Sequence, residues 1–295
     1  MSFFKKPKTI IIFLSLVFLI SLPIASEETD PGALTTSATS AQPEKTAVVF
    51  DLGNVLITTS KKAAFDAIGL WKIVKYCKSP ERIPPILYDL LNKIRGQRIN
   101  NVINDPYGNC LPDIFCEALT GKRDEHQCLS EVLTGIENNK HHFSSKTERK
   151  IAKVMAKFMF DPQTLCNLQL INRDALDLLR TCVNRGHEVF IFSNFSPQAF
   201  NLIKNKFPEI FNLVPAEHLI VSGTIGHAKP HPTAYQILVE KLTAAGVKVD
   251  PAHVFFIDDQ KENVEPVKAH GITGLVYDEN NHKQTHHELV AHRII

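Results

Sequence analysis

The chain has 295 residues, 44% of them hydrophobic and 22% charged. That composition excludes a disordered or fibrous class and supplies one sizeable core, or a core with an inserted domain. Thirty-three basic against 31 acidic residues leave a formal charge of +2, so no basic field points to nucleic acid.

Lys5, Lys6 and Lys8 precede an apolar run from Thr9 to Ala25, and the small pair Ala25–Ser26 is followed by Glu27–Glu28. This is the order of a secretory signal over 1–26. The alternative is an uncleaved membrane anchor through residues 9–25, near the lower end of spanning length. The expected location is therefore exported, periplasmic or secreted, or else membrane-anchored. Without the three lysines the formal charge becomes 2 − 3, or about −1. Residues 27–45 are rich in Thr, Ser, Ala, Pro and Glu and read as a flexible linker.

From residue 46 short apolar runs alternate with helical periods. The predicted strands are Ala47–Phe50, Val189–Phe192, Leu219–Val221, Val254–Ile257 and Gly274–Tyr277. Predicted helices cover Arg173–Arg185, stopped by Gly186, and Thr233–Ala245, stopped by Gly246. A third runs from about Asn263 to His270, with Pro266 in its first turn and Gly271 beyond. Alternation of this kind predicts an α/β fold: a Rossmann-like, mostly parallel sheet with helices on both faces.

Residues 58–165 break the rhythm. They hold no comparable strand, but helix-like segments recur around Ala63–Tyr76, Ile83–Ile94, Ile114–Leu119, Gln127–Ile136 and Lys146–Phe160. The expected organisation is a core from 46–57 and 166–280, a helical cap over 58–165, and a tail over 281–295. The tail carries His282, His286, His287 and His292 without a carboxylate–histidine spacing, and reads as a solvated, partly helical end. Six cysteines (Cys77, Cys110, Cys116, Cys128, Cys166, Cys182) fit an oxidising compartment but fix no pairing. Cys182 lies on the apolar side of its helix and reads as a small buried residue.

Four segments carry candidate chemistry, each ambiguous alone. The strand at 47–50 ends in Asp51, a nucleophile, metal ligand or general base, or merely a capping carboxylate. The strand at 189–192 ends in Ser193, which either donates to an anionic oxygen or caps the next helix. In Gly226–Pro232, Lys229 is held between a glycine-led turn and a proline and can neutralise an anion. His227 and His231 beside it read as loop residues. The strand at 254–257 ends in Asp258 and Asp259, with Asn263 after them. Two adjacent carboxylates repel each other and are stabilised by a cation such as Mg²⁺.

In this order, the stretches FDLGNVL (50–56), FSN (192–194), GHAKPHP (226–232) and FFIDDQKEN (255–263) resemble the haloacid dehalogenase-like hydrolase superfamily over about residues 46–278. The interval after the first motif resembles the helical cap of the subgroup acting on small molecules. The resemblance implies that Asp51 attacks phosphorus to form an aspartyl-phosphate, and that Ser193 and the Asn194 backbone hold the phosphoryl oxygens. It implies that Lys229 balances the negative charge. Asp51, the Gly53 carbonyl, Asp258 and Asp259 would bind Mg²⁺, Asp259 most directly, with Asn263 in the outer shell. The implied partner is a small-molecule phosphate ester, with no nucleic acid and a membrane only through 9–25 if uncleaved.

One position departs from the family pattern. Most phosphatases of this superfamily carry a second Asp two residues after the nucleophile, as acid and base; here Gly53 stands there. Such help is worth about 10²–10⁴-fold. Its loss predicts a preference for anomeric, acyl or aryl phosphates, unless a cap residue supplies the proton. Three readings follow: a Mg²⁺-dependent phosphomonoesterase, a non-catalytic binding protein of the same fold, and a dehalogenase. For the last, attack on carbon has no use for the Asp258–Asp259 pair.

Overall fold

The computed structural model describes residues 45–68, 83–93, 111–279 and 281–295. The expected signal or anchor, the linker before Lys45, Cys77 and Cys110 lie outside the described residues. No helix among the described residues is long and apolar enough to cross a membrane.

The strands are β1 (Ala47–Phe50), β2 (Ile57–Thr59), β3 (Gln169–Ile171), β4 (Glu188–Ser193), β5 (Leu219–Val221), β6 (Val254–Asp258) and β7 (Thr273–Val276). Five of them form a parallel sheet in the order β5-β4-β1-β6-β7. Side chains of the central strands alternate between two cores. Val48, Phe50, Val189, Ile191, Phe255 and Ile257 pack on one face with the helices Arg173–Asn184 and Pro197–Lys206. Ala47, Val49, Phe190, Phe192, Val254 and Phe256 pack on the other with the helix Pro232–Ala244. A strand buried on both faces needs apolar residues throughout. That is why each reads as an uninterrupted run until its last residue.

Register then aligns those last residues. Phe50 is level with Ile191 of β4 and Ile257 of β6. The next positions along β1 and β6, Asp51 and Asp258, therefore leave the sheet side by side, with Ser193 one step further along β4. The Asp51 N–H donates to the Ile257 carbonyl at 2.8 Å, which continues the pairing through Asp51.

Several expected boundaries shift. The last strand is Thr273–Val276 rather than Gly274–Tyr277; the Tyr277 hydroxyl accepts from Asn172 Nδ2 at 2.8 Å. The helix expected from Asn263 begins at Lys261 and tightens to a 3₁₀ turn over Glu265–His270. Pro266 has no N–H to continue an α-helical ladder there. The expected solvated tail is instead docked. The helix His282–Ala291 buries Leu289, and Ile294 and Ile295 join the same core, with His187 Nε2 2.8 Å from the Ile294 carbonyl.

The interval 58–165 does contain strand residues. β2 pairs antiparallel with β3, Ile57 opposite Ile171 and Thr59 opposite Gln169. At three residues each, these strands are too short to leave a period in the sequence. They form a two-stranded root from which the helical insertion departs and returns. The insertion's helices include Lys61–Ile68, Ile83–Lys93, Asp113–Leu119, Glu125–Asn138 and Lys146–Phe160. It has its own core around Leu87, Leu91, Ile114, Val132, Ile136 and Met155. Local capping sets its helix starts: Asp124 accepts from the Gln127 N–H, and Ser145 from the Glu148 N–H. The described cysteines Cys116, Cys128, Cys166 and Cys182 are all buried. Burial pushes the Cys128 and Cys182 thiols up to about 12, so both behave as small apolar residues.

The insertion meets the core at a crowded seam. Ser222 Oγ donates to the Leu119 carbonyl at 2.7 Å. Across the seam a Cβ at Gly121 would lie 2.5 Å from the Gly223 carbonyl oxygen, and on the core side a Cβ at Gly223 would lie 2.6 Å from Pro197 N and 2.7 Å from the Phe195 carbonyl oxygen. Gly223→Ala is therefore expected to destabilise the fold by about 1–3 kcal/mol, read as a lower urea midpoint; an unchanged midpoint would show that the seam yields freely.

Candidate active site at the carboxyl edge of the sheet

The site begins with the turn after β1. Asn54 adopts a left-handed backbone conformation, φ 56°, which asparagine tolerates better than most residues. This turn brings Asn54 Nδ2 to 3.0 Å from Asp259 Oδ2, tying the first segment to the last. Gly53 is not required by its backbone: a Cβ there would first meet Phe195 Cε2 at 3.7 Å, an ordinary contact.

Asp258 ends β6 fully buried and is held from several sides. The Gln260 N–H donates to its Oδ1 at 2.8 Å, and Asn263 Nδ2 lies 3.1 and 3.2 Å from its two oxygens. Lys229 Nζ donates to its Oδ2 at 2.5 Å and to the Phe192 carbonyl at 2.8 Å. The same ammonium is 3.0 Å from Asp51 Oδ1, where it forms an ion pair rather than an aligned hydrogen bond. The lysine is sequestered, with 1% of its surface exposed. The Asn194 side chain fixes its backbone, accepting from the Lys229 N–H at 2.8 Å and donating to the Lys229 carbonyl at 2.9 Å. This bidentate clamp is a role for Asn194 that the sequence did not suggest.

Electrostatics follow from burial. Burial pushes the Asp51 carboxyl up most strongly. Lys229 pulls it down, Asp258 pushes it up, and the Ser193 hydrogen bond pulls it down; the balance puts it at about 6. Burial alone would lower Lys229, but Asp258 and Asp51 outweigh it and hold the ammonium above its ordinary value. Ser193 lies at the cavity beside Asp51, and the N-cap position of the following helix is Ser196.

Asp51, Asp258 and Asp259 each offer an oxygen, all within 4.8 Å of one another. A compact set of carboxylate oxygens suits a hard divalent cation, and Asp51 Oδ1, buried without an aligned donor, suits a ligand atom. The donor set fits Mg²⁺. His227 and His231 do not join it. Their rings stack at 4.9 Å, and His231 Nδ1 accepts from the Thr233 N–H at the start of its helix.

A cavity of about 120 Å³ opens over this edge. The core side presents Asp51, Gly53, Asn54, Ser193, Asn194 and Lys229, with Asn263 also on the wall. The insertion contributes Phe115, Leu119, Phe158, Met159 and Glu125. Glu125 was invisible in the sequence because Asp124–Glu125 reads as an ordinary helix start.

The haloacid dehalogenase-like hydrolase pattern matches residues 45–271, most of the chain. Among solved structures, the chain is similar to a HAD family enzyme from Bacteroides thetaiotaomicron, at 18% identity and TM-score 0.49, covering 80% of this chain and 95% of that one. The wild-type form of that enzyme in complex with magnesium and inorganic phosphate gives 16% identity and TM-score 0.46 over the same shares. L-2-haloacid dehalogenase from Xanthobacter autotrophicus gives 18% identity and TM-score 0.45, over 85% of this chain and 84% of that one. At these scores none bears on this chain's chemistry.

Lys229→Met would leave Asp51 and Asp258 buried together without their cation. The expected cost is about 3–5 kcal/mol near neutral pH in cation-free buffer. The carboxyl most affected would rise further, so its favourable contribution is present at low pH and lost as pH increases. Urea denaturation at pH 5.5 and 7.5 should therefore show the deficit shrinking on the acid side; a pH-independent deficit would mean that packing, not charge, is what the lysine provides.

Proposed function

The chain belongs to the haloacid dehalogenase-like hydrolases, and on that premise we propose that it is a Mg²⁺-dependent phosphomonoesterase acting on a small phosphorylated molecule through an aspartyl-phosphate. The observation that carries this reading is the Asp51–Lys229–Asp258 contact with Asp259 beside it. Three carboxylates and one ammonium carry −3 + 1 = −2 when ionised, a charge that a divalent cation offsets.

Each residue then has a part. Asp51, aligned by the sheet and by Ser193, attacks phosphorus. Ser193 and the backbone N–H of Asn194 hold the phosphoryl oxygens. Lys229 balances charge on Asp51 as the new bond forms. Asp51, the Gly53 carbonyl and Asp259 would hold the Mg²⁺; Asp258 completes the acidic set while anchoring Lys229, and Asn263 orients Asp258 from behind. Bound Mg²⁺ lowers repulsion between an anionic nucleophile and an anionic phosphoryl group. Attack on carbon in a haloacid has no need of this acidic set, which favours phosphoryl chemistry.

The cavity supports a compact substrate. Its insertion wall is largely apolar, and Lys229 is the cation among the lining residues. A second anionic group on the substrate would meet no further cation among the described lining residues. The helical insertion lining this cavity supports reading it as the cap of the small-molecule subgroup. The order of residues 1–26 supports export, with the active domain outside the cytoplasm.

The test is phosphate release from p-nitrophenyl phosphate by the full-length chain with Mg²⁺, with EDTA, and beside Asp51→Asn. Turnover should need the metal and fall by about 10³-fold or more in the variant. Folded wild-type protein with no turnover above the variant would sink the enzymatic reading in favour of a binding protein.

A further inference from the structure

Gly53 leaves the reaction without its usual proton donor, yet the insertion carries one carboxyl into the cavity. Among the described residues, three titratable side chains line that space: Asp51, Lys229 and Glu125. Asp51 is committed as nucleophile, and Lys229 is sealed between carboxylates. Glu125 opens the helix Glu125–Asn138 and is 4% exposed. Its carboxyl reaches the core loop that follows Ser193. Ser196 Oγ donates to Oε1, and the Gln198 N–H to Oε2 at 3.2 Å. Apolar residues of the insertion, Phe115, Leu119, Phe158 and Met159, line the same cavity.

We propose that Glu125 gives the proton to the leaving oxygen in the phosphoryl transfer begun by Asp51, replacing the acid absent at position 53. This rests on the phosphomonoesterase reading. In the first step an Asp51 oxygen bonds to phosphorus, the ester P–O bond breaks, and the Glu125 proton passes to the departing alcohol oxygen. In the second step water bonds to phosphorus and yields a proton to the Glu125 carboxylate. The Asp51–phosphorus bond breaks, which releases inorganic phosphate and restores both carboxyl groups.

Two features suit Glu125 to this part. Burial pushes its carboxyl above the usual range, and the Asp124 charge adds to that. Ser196 and the N–H groups of Gln198 and Ala199 pull the other way without cancelling it. Ser196 also has a hydroxyl, which donates to the carboxylate and accepts from the acid, so Glu125 keeps a partner in both states. The leaving-group preference expected from Gly53 then belongs to a protein that lacks Glu125.

The rival role is docking alone, since Glu125 caps the helix Pro197–Lys206 and Asp124 beside it accepts from Gln198 Nε2 at 2.7 Å. Leaving groups separate the two. With Mg²⁺, kcat/KM, which reports only the steps up to departure of the leaving group, is measured for p-nitrophenyl phosphate and a short alkyl phosphate in the wild type, Glu125→Gln and Glu125→Gln with Gly53→Asp. The alkyl phosphate should lose about 10²–10⁴-fold in Glu125→Gln and the aryl phosphate less than about 10-fold. Gly53→Asp, whose Cβ would make only an ordinary contact with Phe195, should recover alkyl turnover. Equal losses on both substrates, or none, would overturn the proposal and leave Glu125 a docking residue. If Glu125→Gln fails to fold, Glu125→Asp keeps a carboxyl, withdrawn by one methylene, and must show the same inequality between substrates. Wild-type protein inactive on both substrates would overturn the phosphomonoesterase reading itself, and this proposal with it.

Discussion

The Lys229 ammonium lies between Asp51 and Asp258 at 3.0 and 2.5 Å, out of solvent, and the geometry of the strand ends depends on it. Two carboxylates leaving adjacent parallel strands at one level would repel each other in a medium that screens poorly. The lysine makes that juxtaposition tolerable, and the Asn194 clamp on its backbone keeps it in place. One cation does not balance three acids. Burial and the Asp258 charge hold the Asp51 carboxyl above the usual carboxylate range against the pull of Lys229. The same imbalance leaves a net negative charge at this edge that a divalent cation would offset.

Much of this was legible because buried parallel strands permit polar residues only where they end. Asp51, Ser193, Asp258 and Asp259 each terminate an apolar run, and register does the rest by bringing those ends level. What stayed hidden depends on contacts between distant positions. The short strands β2 and β3 are recognisable only as a pair. Asn54 looks like a turn residue until its side chain is seen on Asp259, 205 positions away. Glu125 passes as helix capping, although its partner Ser196 lies 71 positions along the chain. The docking of the C-terminal helix rests on Leu289, Ile294 and Ile295, too few apolar residues to form a period.

The insertion divides the labour with the sheet. The sheet edge supplies charge and alignment, which need rigid elements and fixed register. The insertion supplies enclosure, an apolar wall and one carboxyl, from a unit with its own core. A glycine at position 53 is unexpected if the core must carry all of the chemistry. It is natural if proton transfer has moved to the other side of the cavity, where burial raises a carboxyl without adding a further negative charge beside Asp51.

Asp51 is the residue proposed to take the phosphoryl group. The direct measurement is acid quenching of the full-length chain during turnover with Mg²⁺ and p-nitrophenyl phosphate, followed by mass spectrometry of its peptides. A phosphoryl mass increment should appear on the peptide carrying Asp51 and be absent from Asp51→Asn. Steady turnover by folded protein with no such increment at any quench time, or an increment on another residue, would contradict it.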